Sequence, residues 1–158
     1  MKQLAKNSIF LLFGSLFVVL ACISCATSGK SEKQSAPMEF SIAKGYFVKN
    51  TIEIKEPVGF VFQNQKQLDS IMGTAATMGV DGKPTSFDFV EAYGVACVFP
   101  ETDSSVVLQV LNFSVANGIG RLSVKVITGE KQTYRIVPNI LLKVSGIPPA
   151  KLIVERSL

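Results

Sequence analysis

The second half of the chain has the clearest pattern of apolar and polar positions. Residues 106–115 form a long, mostly apolar run, and residues 117–120 supply a turn. Apolar and polar residues then alternate over residues 122–126, which is typical of a strand with one buried face. A second turn is predicted at residues 128–130. Three further strands follow it, at residues 132–137, 140–144 and 152–154.

The first half predicts shorter strands and one short helix. Its predicted strands lie at residues 40–43, 46–49, 51–55, 58–62 and 94–99. Asn64 and Gln67 can cap the first turn of a helix, apolar residues follow at i, i+3 and i+4 from Leu68, and Gly73 predicts its end. Two helical turns are not stable alone, so the helix is expected to pack its apolar side on the sheet.

These elements predict a mostly β (α+β) fold. The frequent turns between short strands indicate an antiparallel meander that curls into a sandwich or partial barrel, with one short helix. Residues 38–158 are predicted to form a single β-rich domain, because their number is normal for one core. Residues 74–86 form the longest stretch without a period and are the first candidate for a contact surface.

The N-terminus has the pattern of an export signal. Lys2 and Lys6 precede an apolar run at residues 9–21, and polar residues follow from Thr27. This run of 13 residues is shorter than the roughly 20 that a membrane-spanning helix needs. Residues 1–21 are therefore predicted to be a signal peptide that is removed.

The junction after the apolar run resembles the bacterial lipobox. In that family an aliphatic residue stands three positions before a cysteine, a small residue stands one position before it, and the cysteine is diacylated as the new N-terminus. Val19 and Ala21 fit these positions for Cys22. Cys25 is the alternative, with Ser24 before it, and ordinary cleavage or none is the remaining reading. Two or three acyl chains would give stable membrane attachment, whereas one chain is marginal.

Residues 22–37 are predicted to be the lipidated N-terminus and a flexible linker. Residues 26–37 contain no aliphatic side chain larger than Ala and mix Ser, Lys, Glu and Gln, so they cannot bury enough apolar surface to order themselves. The resemblance to the lipobox implies a location in the bacterial cell envelope, where the protein would be lipid-anchored and either periplasmic or surface-exposed.

Composition changes this picture in two ways. The 158 residues include no His, which excludes Ser-His and Cys-His nucleophile pairs and His-ligated metals. The formal charge is +4, and removal of Lys2 and Lys6 leaves 14 basic against 12 acidic residues. This near-balance, without a basic run, does not favour a nucleic-acid partner.

No set of residues indicates catalysis, a metal or a cofactor. Cys97 lies in an apolar strand without a charged neighbour in sequence, so it is expected to be an inert core thiol. Ser41 and Lys44 match the Ser-x-x-Lys spacing of penicillin-recognising enzymes, whose lysine deprotonates the serine from one helical turn away. The companion Ser-x-Asn and Lys-Thr-Gly motifs are absent, and the segment predicts a strand. The loop carboxylates lack the alternating spacing of a calcium loop. These carboxylates are Asp81, Asp88, Glu91, Glu101 and Asp103.

Residues 60–68, the segment Ser86-Phe87-Asp88-Phe89 and the strand at residues 94–99 together resemble a known family. In outline, residues 58–145 are similar to the C-terminal domain family of the protease complex subunit PrcB. That family takes its name from a lipoprotein that associates with a surface subtilisin-like protease. Members usually carry Gly-Gly-Tyr after the Asp-Phe strand, where this chain has residues 100–105. The resemblance implies that Asp88 and Phe89 are the structural entry to the strand.

Three functions follow as expectations. The first is a membrane-tethered, non-enzymatic binding or accessory domain of the bacterial cell envelope, which the lipobox, the linker and the β-rich body favour. The second, implied by the resemblance, is a partner or inhibitor of an envelope protease. The third is a small His-free hydrolase that uses Asp, Ser or Lys. The expected partners are the membrane, through the acyl chains, and a protein such as an envelope protease.

Overall fold

The computed structural model describes residues 37–76 and 82–157, and within them it has nine strands and one helix. The signal peptide, both candidate lipidation residues Cys22 and Cys25, and the linker up to residue 36 lie outside the described residues. The elements are β1 (Phe40–Ile42), β2 (Tyr46–Val48), β3 (Val58–Phe62), α1 (Gln65–Ile71), β4 (Met72–Thr74), β5 (Ala92–Val98), β6 (Thr102–Ala116), β7 (Ile119–Ile136), β8 (Asn139–Ser145) and β9 (Lys151–Ser157).

The strands form three pairing groups. The central sheet has the order β1-β8-β5-β3, the outer sheet has the order β6-β7-β9, and β2 pairs with β4 in a two-stranded ribbon. All pairs are antiparallel except β7 with β9, which is parallel. The described strands therefore make a sandwich-like α+β fold that does not close into a barrel.

One long two-stranded ribbon runs through both sheets. The antiparallel register of β5 and β8 ends at the pair Val98–Asn139, and one further hydrogen bond of 2.8 Å joins the Phe99 N–H to the Pro138 carbonyl. The register then continues in β6 and β7 to the pair Ala116–Ile119. The sandwich thus arises largely because this ribbon bends near Phe99 and Pro138 and packs its two halves face to face.

Each face of the central sheet covers its own core. The first core lies between the central and outer sheets, and the second lies between the central sheet and the layer of α1 and the β2–β4 ribbon. Fully buried members of the first core include Val95, Cys97, Phe113, Leu122 and Leu142. Members of the second core include Phe62, Leu68, Met72, Ala96 and Leu141.

The helix begins as its sequence predicts and ends one residue earlier. The Asn64 side chain accepts a hydrogen bond of 2.9 Å from the Gln67 N–H, and the Gln67 side chain accepts one of 2.7 Å from the Gln63 N–H. Met72 is extended and already belongs to β4. The expectation that Gly73 ends the helix was wrong: Gly73 lies within β4, where a Cβ atom would collide with the Phe47 ring.

The predicted fold class is confirmed, but two further local predictions were wrong. Residues 51–55 are not a strand, and the Ile52 N–H donates a hydrogen bond to the Lys49 carbonyl in a turn. The apolar and polar residues alternate here because Ile52 and Ile54 both pack on the second core. Residues 128–130 are not a turn but part of β7. There Gly129 lies against Ser105 of β6, and a side chain at this position would require the Ser105 hydroxyl to move.

Candidate binding surface

The most exposed part of the long ribbon is the stretch that joins its two halves. We call residues 102–107 of β6 and 127–136 of β7 the ribbon corner. Its register shifts twice. Between the pairs Thr102–Ile136 and Ser104–Lys131 lie four residues of β7 but only one of β6. Such bulges bend and twist a ribbon locally, so they account for the corner.

No residue of the ribbon corner is buried, although several are apolar. Val107 and Ile127 are paired across the two strands and are 61% and 46% exposed, and Tyr134 is 59% exposed. A cross-strand apolar pair that faces solvent covers nothing in the described residues. It is the kind of surface that a partner can bury.

Two ion pairs brace the ribbon corner. Arg135 lies 2.9 Å from Glu101, and Lys131 lies 3.0 Å from Asp103. All four side chains are substantially exposed, so each pair stabilises the protein by no more than about 1 kcal/mol. The two carboxylates therefore have structural partners on β7, and among the described residues they belong to no group of acidic side chains that could hold a metal ion.

Both edges of the ribbon corner are free of strand partners among the described residues. β7 pairs with β9 only from Ile119 to Lys125, so its later part has β6 alone as a neighbour. β6 is an edge strand whose other side is paired only at its far end, where Pro37 bridges Ser114. Unpaired strand edges present N–H and C=O groups that can hydrogen-bond an additional strand.

The predicted contact loop at residues 74–86 is described only at its two ends. The Ala75 N–H donates to the Gly45 carbonyl at 2.9 Å, and the Thr85 N–H donates to the Lys44 carbonyl at 3.0 Å. The Tyr46 hydroxyl donates to the Thr85 carbonyl at 2.7 Å. These bonds attach both ends of the loop to the connection between β1 and β2. Its role as a contact surface stays a prediction.

A packed aromatic group follows this loop. The ring of Phe87 lies 5.3 Å from Phe89 and 5.9 Å from Tyr46, and the Lys143 Nζ lies 5.9 Å from the Phe87 ring centroid. Lys143 also donates a 2.9 Å hydrogen bond to the Ser86 carbonyl. Burial, and to a lesser extent the Asp69 carboxylate, raise the pKa of Tyr46. The group covers the second core, so its visible role is packing.

Cys97 is the core residue that the sequence predicts. Its side chain is fully buried in the first core. Burial raises the pKa of its thiol to about 12, so the nucleophilic thiolate is not populated at neutral pH.

The other residues considered for chemistry do not come together. Ser41 lies on β1 and Lys44 lies beyond its end, so the pair is not on a helix as the Ser-x-x-Lys chemistry requires. Asp88 forms a turn in which its side chain accepts a hydrogen bond from the Val90 N–H, immediately before β5. Asp81 lies outside the described residues. Within residues 37–76 and 82–157, no three Cys, Asp or Glu side chains are grouped closely enough to hold a metal ion.

The sequence reasoning missed the ribbon corner because it placed a turn at residues 128–130. A usable signal was the position of the prolines. Pro100 and Pro138 lie at similar distances before and after the Asn117-Gly118 turn, and the residues between them carry strand patterns on both sides. Because Pro is rare inside paired strands, these two positions mark the outer limits of a hairpin, but they do not show which residues of β6 and β7 pair.

Comparison of the chain with models of protein families, with curated proteins and with solved structures finds no match in any of the three. The resemblance to the PrcB C-terminal domain family therefore stays a prediction. Among the described residues, no helix is both long and apolar enough to cross a membrane.

Proposed function

We propose that this protein is a membrane-tethered, non-enzymatic binding or accessory domain of the bacterial cell envelope, and that the ribbon corner holds its protein partner. The observation that carries the binding role is the ribbon corner itself, with an exposed apolar pair and two strand edges that pair with no other described strand. The lipobox pattern at Cys22, or alternatively at Cys25, supports the tether.

Binding at this surface would use the β6 edge and its outward side chains together. An extended segment of the partner would add a strand beside β6, with main-chain hydrogen bonds that each contribute about 0.5–1.5 kcal/mol net. Val107 and Leu111 lie two residues either side of Gln109, and both are exposed. They would give the added strand an apolar face to cover, and would favour partners with apolar residues at alternate positions.

Site-specific photo-crosslinking tests this role in the living cell. A photoreactive residue at Val107 is expected to give a discrete adduct with a partner protein, whereas the same residue at Glu53 is not. Glu53 is a suitable control because its side chain is 79% exposed but lies between β2 and β3, away from the outer sheet. Identical adducts from both positions, or none from Val107, would count against binding at the ribbon corner.

A charge substitution provides the second test. Val107→Lys places a charge beside the free edge of β6, a device that natural edge strands use to prevent strand addition. The variant is expected to lose the partner in a pull-down while its unfolding midpoint stays near that of the parent chain. Full recovery of the partner would contradict the proposal.

The tether has a test of its own. Intact-mass measurement of the purified mature chain is expected to show an acylated N-terminal Cys22, and Cys22→Ala is expected to release the protein or leave its precursor uncleaved. Acylation at Cys25 would select the alternative junction, and an unacylated chain would exclude the anchor.

The two other expectations stay predictions. A partner or inhibitor of an envelope protease is one specific form of the binding role, and the crosslinked partner would identify it directly. A His-free hydrolase is the third expectation, and no arrangement among the described residues favours it over binding.

A further inference from the structure

Two aliphatic side chains at one end of the domain are almost fully exposed. Val90 is 95% exposed and Ile147 is 86% exposed, more than any other large apolar residue that the structure describes. They lie one residue outside the 3.4 Å hydrogen bond that joins the Gly146 N–H to the Glu91 carbonyl. They therefore extend from adjacent points at the same end of the β5–β8 ladder. We call Val90 and Ile147 the apolar tip.

Hydrogen bonds hold the backbone of the Val90 turn. The Asp88 side chain accepts a 3.0 Å hydrogen bond from the Val90 N–H, and the Asp88 carbonyl accepts bonds from Glu91 and Ala92 at 3.2 and 2.9 Å. Val90 is thus presented by a defined turn that leads directly into a buried strand.

The segment that carries Ile147 is anchored as well. Gly146 has a φ of +108°, a conformation that a residue with a side chain adopts only with strain. After Ile147, Pro149 is buried next to Gly120, and the Lys151 and Ala150 N–H groups both donate to the Gly118 carbonyl. Exposure of Ile147 therefore follows from a defined backbone path.

The described chain enters the domain at this same end. Pro37 bridges Ser114, close to the turn that joins β6 and β7, and the Met38 N–H donates to the Phe113 carbonyl at 2.8 Å. The terminal Cε of Met38 lies 3.9 Å from the position that a Cβ atom would take on Gly146. Gly146, which lies between the end of β8 and Ile147, is thus next to the start of the domain.

We infer that the apolar tip contacts the lipid bilayer that carries the acyl anchor; this inference rests on the tether of the proposed function. Fourteen residues lie between Cys22 and Pro37, and the sequence predicts that they form a flexible linker. A flexible chain of that length has a root-mean-square extension of roughly 20 Å, so the end of the domain at Pro37 stays near the membrane surface. Tethering makes the contact intramolecular, so two side chains are sufficient for a preferred orientation.

The contact is apolar in character. The charged residues nearest to the tip in sequence are Asp88 and Glu91 beside Val90, and Lys143 and Lys151 on either side of Ile147, which are two acids and two bases. Anionic lipids would therefore not attract this end of the domain electrostatically. In this orientation the ribbon corner, at the opposite end of the β6–β7 hairpin, points away from the bilayer and toward a partner.

Fluorescence quenching by nitroxide-labelled lipids tests the inference on the full lipidated chain in phosphatidylcholine vesicles. A fluorophore is attached at Val90→Cys, at Ile147→Cys or, as the control, at Thr133→Cys in the ribbon corner. The junction cysteine that is not acylated is replaced by Ser, and Cys97 is buried and unreactive. Quenching is expected to be severalfold stronger at positions 90 and 147 than at position 133, and to stay unchanged when anionic lipid is added.

Equal quenching at all three positions on a chain whose mass shows acylation would overturn the inference and leave the tether intact. An unacylated mass would overturn both. Quenching at the tip that requires anionic lipid would assign the contact to charged groups and overturn the apolar contact proposed here.

A double serine variant tests whether the apolar tip orients the domain on the bilayer. Val90→Ser together with Ile147→Ser changes only exposed side chains, so the unfolding midpoint is expected to be unchanged. Without the apolar contact the domain loses its preferred orientation, and quenching at position 133 is expected to rise. Unchanged quenching at position 133 would contradict an orienting role for the tip.

Discussion

The two faces of strand β5 are both buried, but they carry side chains of different size. Toward the outer sheet β5 presents Tyr93, Val95 and Cys97, and toward α1 it presents Gly94 and Ala96 in its middle and Val98 at its end. The large side chains fill the space between two sheets, which pack about 10 Å apart. On the other face the volume comes from the covering layer, from residues such as Leu68 and Met72.

This difference shows how one strand supports two kinds of packing. A sheet covered by another sheet needs large side chains from both, so removing one leaves a cavity. On the other face the middle of β5 has little free space, so enlarging a small residue such as Gly94 causes overpacking. The two faces are therefore expected to respond to opposite changes in volume.

The largest effect is expected from Phe113→Ala on the sheet-facing side. Phe113 is fully buried in the first core, and removal of its ring is expected to lower the free energy of unfolding by about 3–5 kcal/mol. Urea unfolding followed by far-UV circular dichroism measures this change. Leu111→Ala on the same strand is the control, because Leu111 is 49% exposed. Substitutions at exposed positions usually change the free energy of unfolding by about 0.5 kcal/mol or less, and we expect the same here. Similar losses for both variants would mean that the outer sheet does not cover this core.

Enlargement tests the helix-facing side. A Cβ atom on Gly94 would lie 3.1 Å from Cδ2 of Phe62 and 3.3 Å from its Cβ. Gly94→Val is therefore expected to lower the free energy of unfolding by about 1–3 kcal/mol through overpacking.

A double variant separates overpacking from a backbone effect at the same position. Phe62→Leu removes volume directly opposite Gly94 in the β3–β5 register, so Gly94→Val is expected to cost less in that background. An unchanged cost would show that the space beside Phe62 does not limit position 94.

Local sequence patterns predicted individual elements well. The β-branched and aromatic run at Val58–Phe62 became β3 with the same bounds, and the Asn64 cap lies where the helix begins. These features depend on neighbouring residues alone, so they are readable along the chain.

Features that depend on distant residues could not be predicted. The parallel pairing of β7 with β9 requires β9 to return beside the outer sheet, and nothing within Lys151–Ser157 specifies that neighbour. Glycine is common in turns, so Gly129 predicts a turn from sequence alone. Its position beside Ser105 arises only when β6 and β7 pair. The ribbon corner was missed for this reason, whereas the loop at residues 74–86 is a candidate because it is the longest stretch without a period.

A smaller effect is expected at the start of α1, which covers the helix-facing core. Asn64→Ala removes the acceptor of the Gln67 N–H and is expected to lower the free energy of unfolding by about 1 kcal/mol. Asn64→Ser keeps a side-chain acceptor and is expected to recover most of the loss. If Ser and Ala gave equal losses in urea unfolding, the cap would not contribute to the stability of this layer.

The smallest effect concerns pH and the sheet-facing core. The pKa of Cys97 is raised to about 12 by burial, whereas a thiol in the unfolded chain has a pKa of about 8.5. Above pH 8.5 the unfolded state therefore binds fewer protons than the folded state, so stability falls as pH rises; at pH 9 the loss from this thiol is about 0.8 kcal/mol. Cys97→Ala lacks this loss, while other groups titrate alike in both chains.

The stability difference between the parent chain and Cys97→Ala is thus expected to shift in favour of the variant between pH 7 and pH 9. A difference that is independent of pH would mean that the thiol ionises as readily in the folded protein, and that the sheet-facing core is open to water at β5.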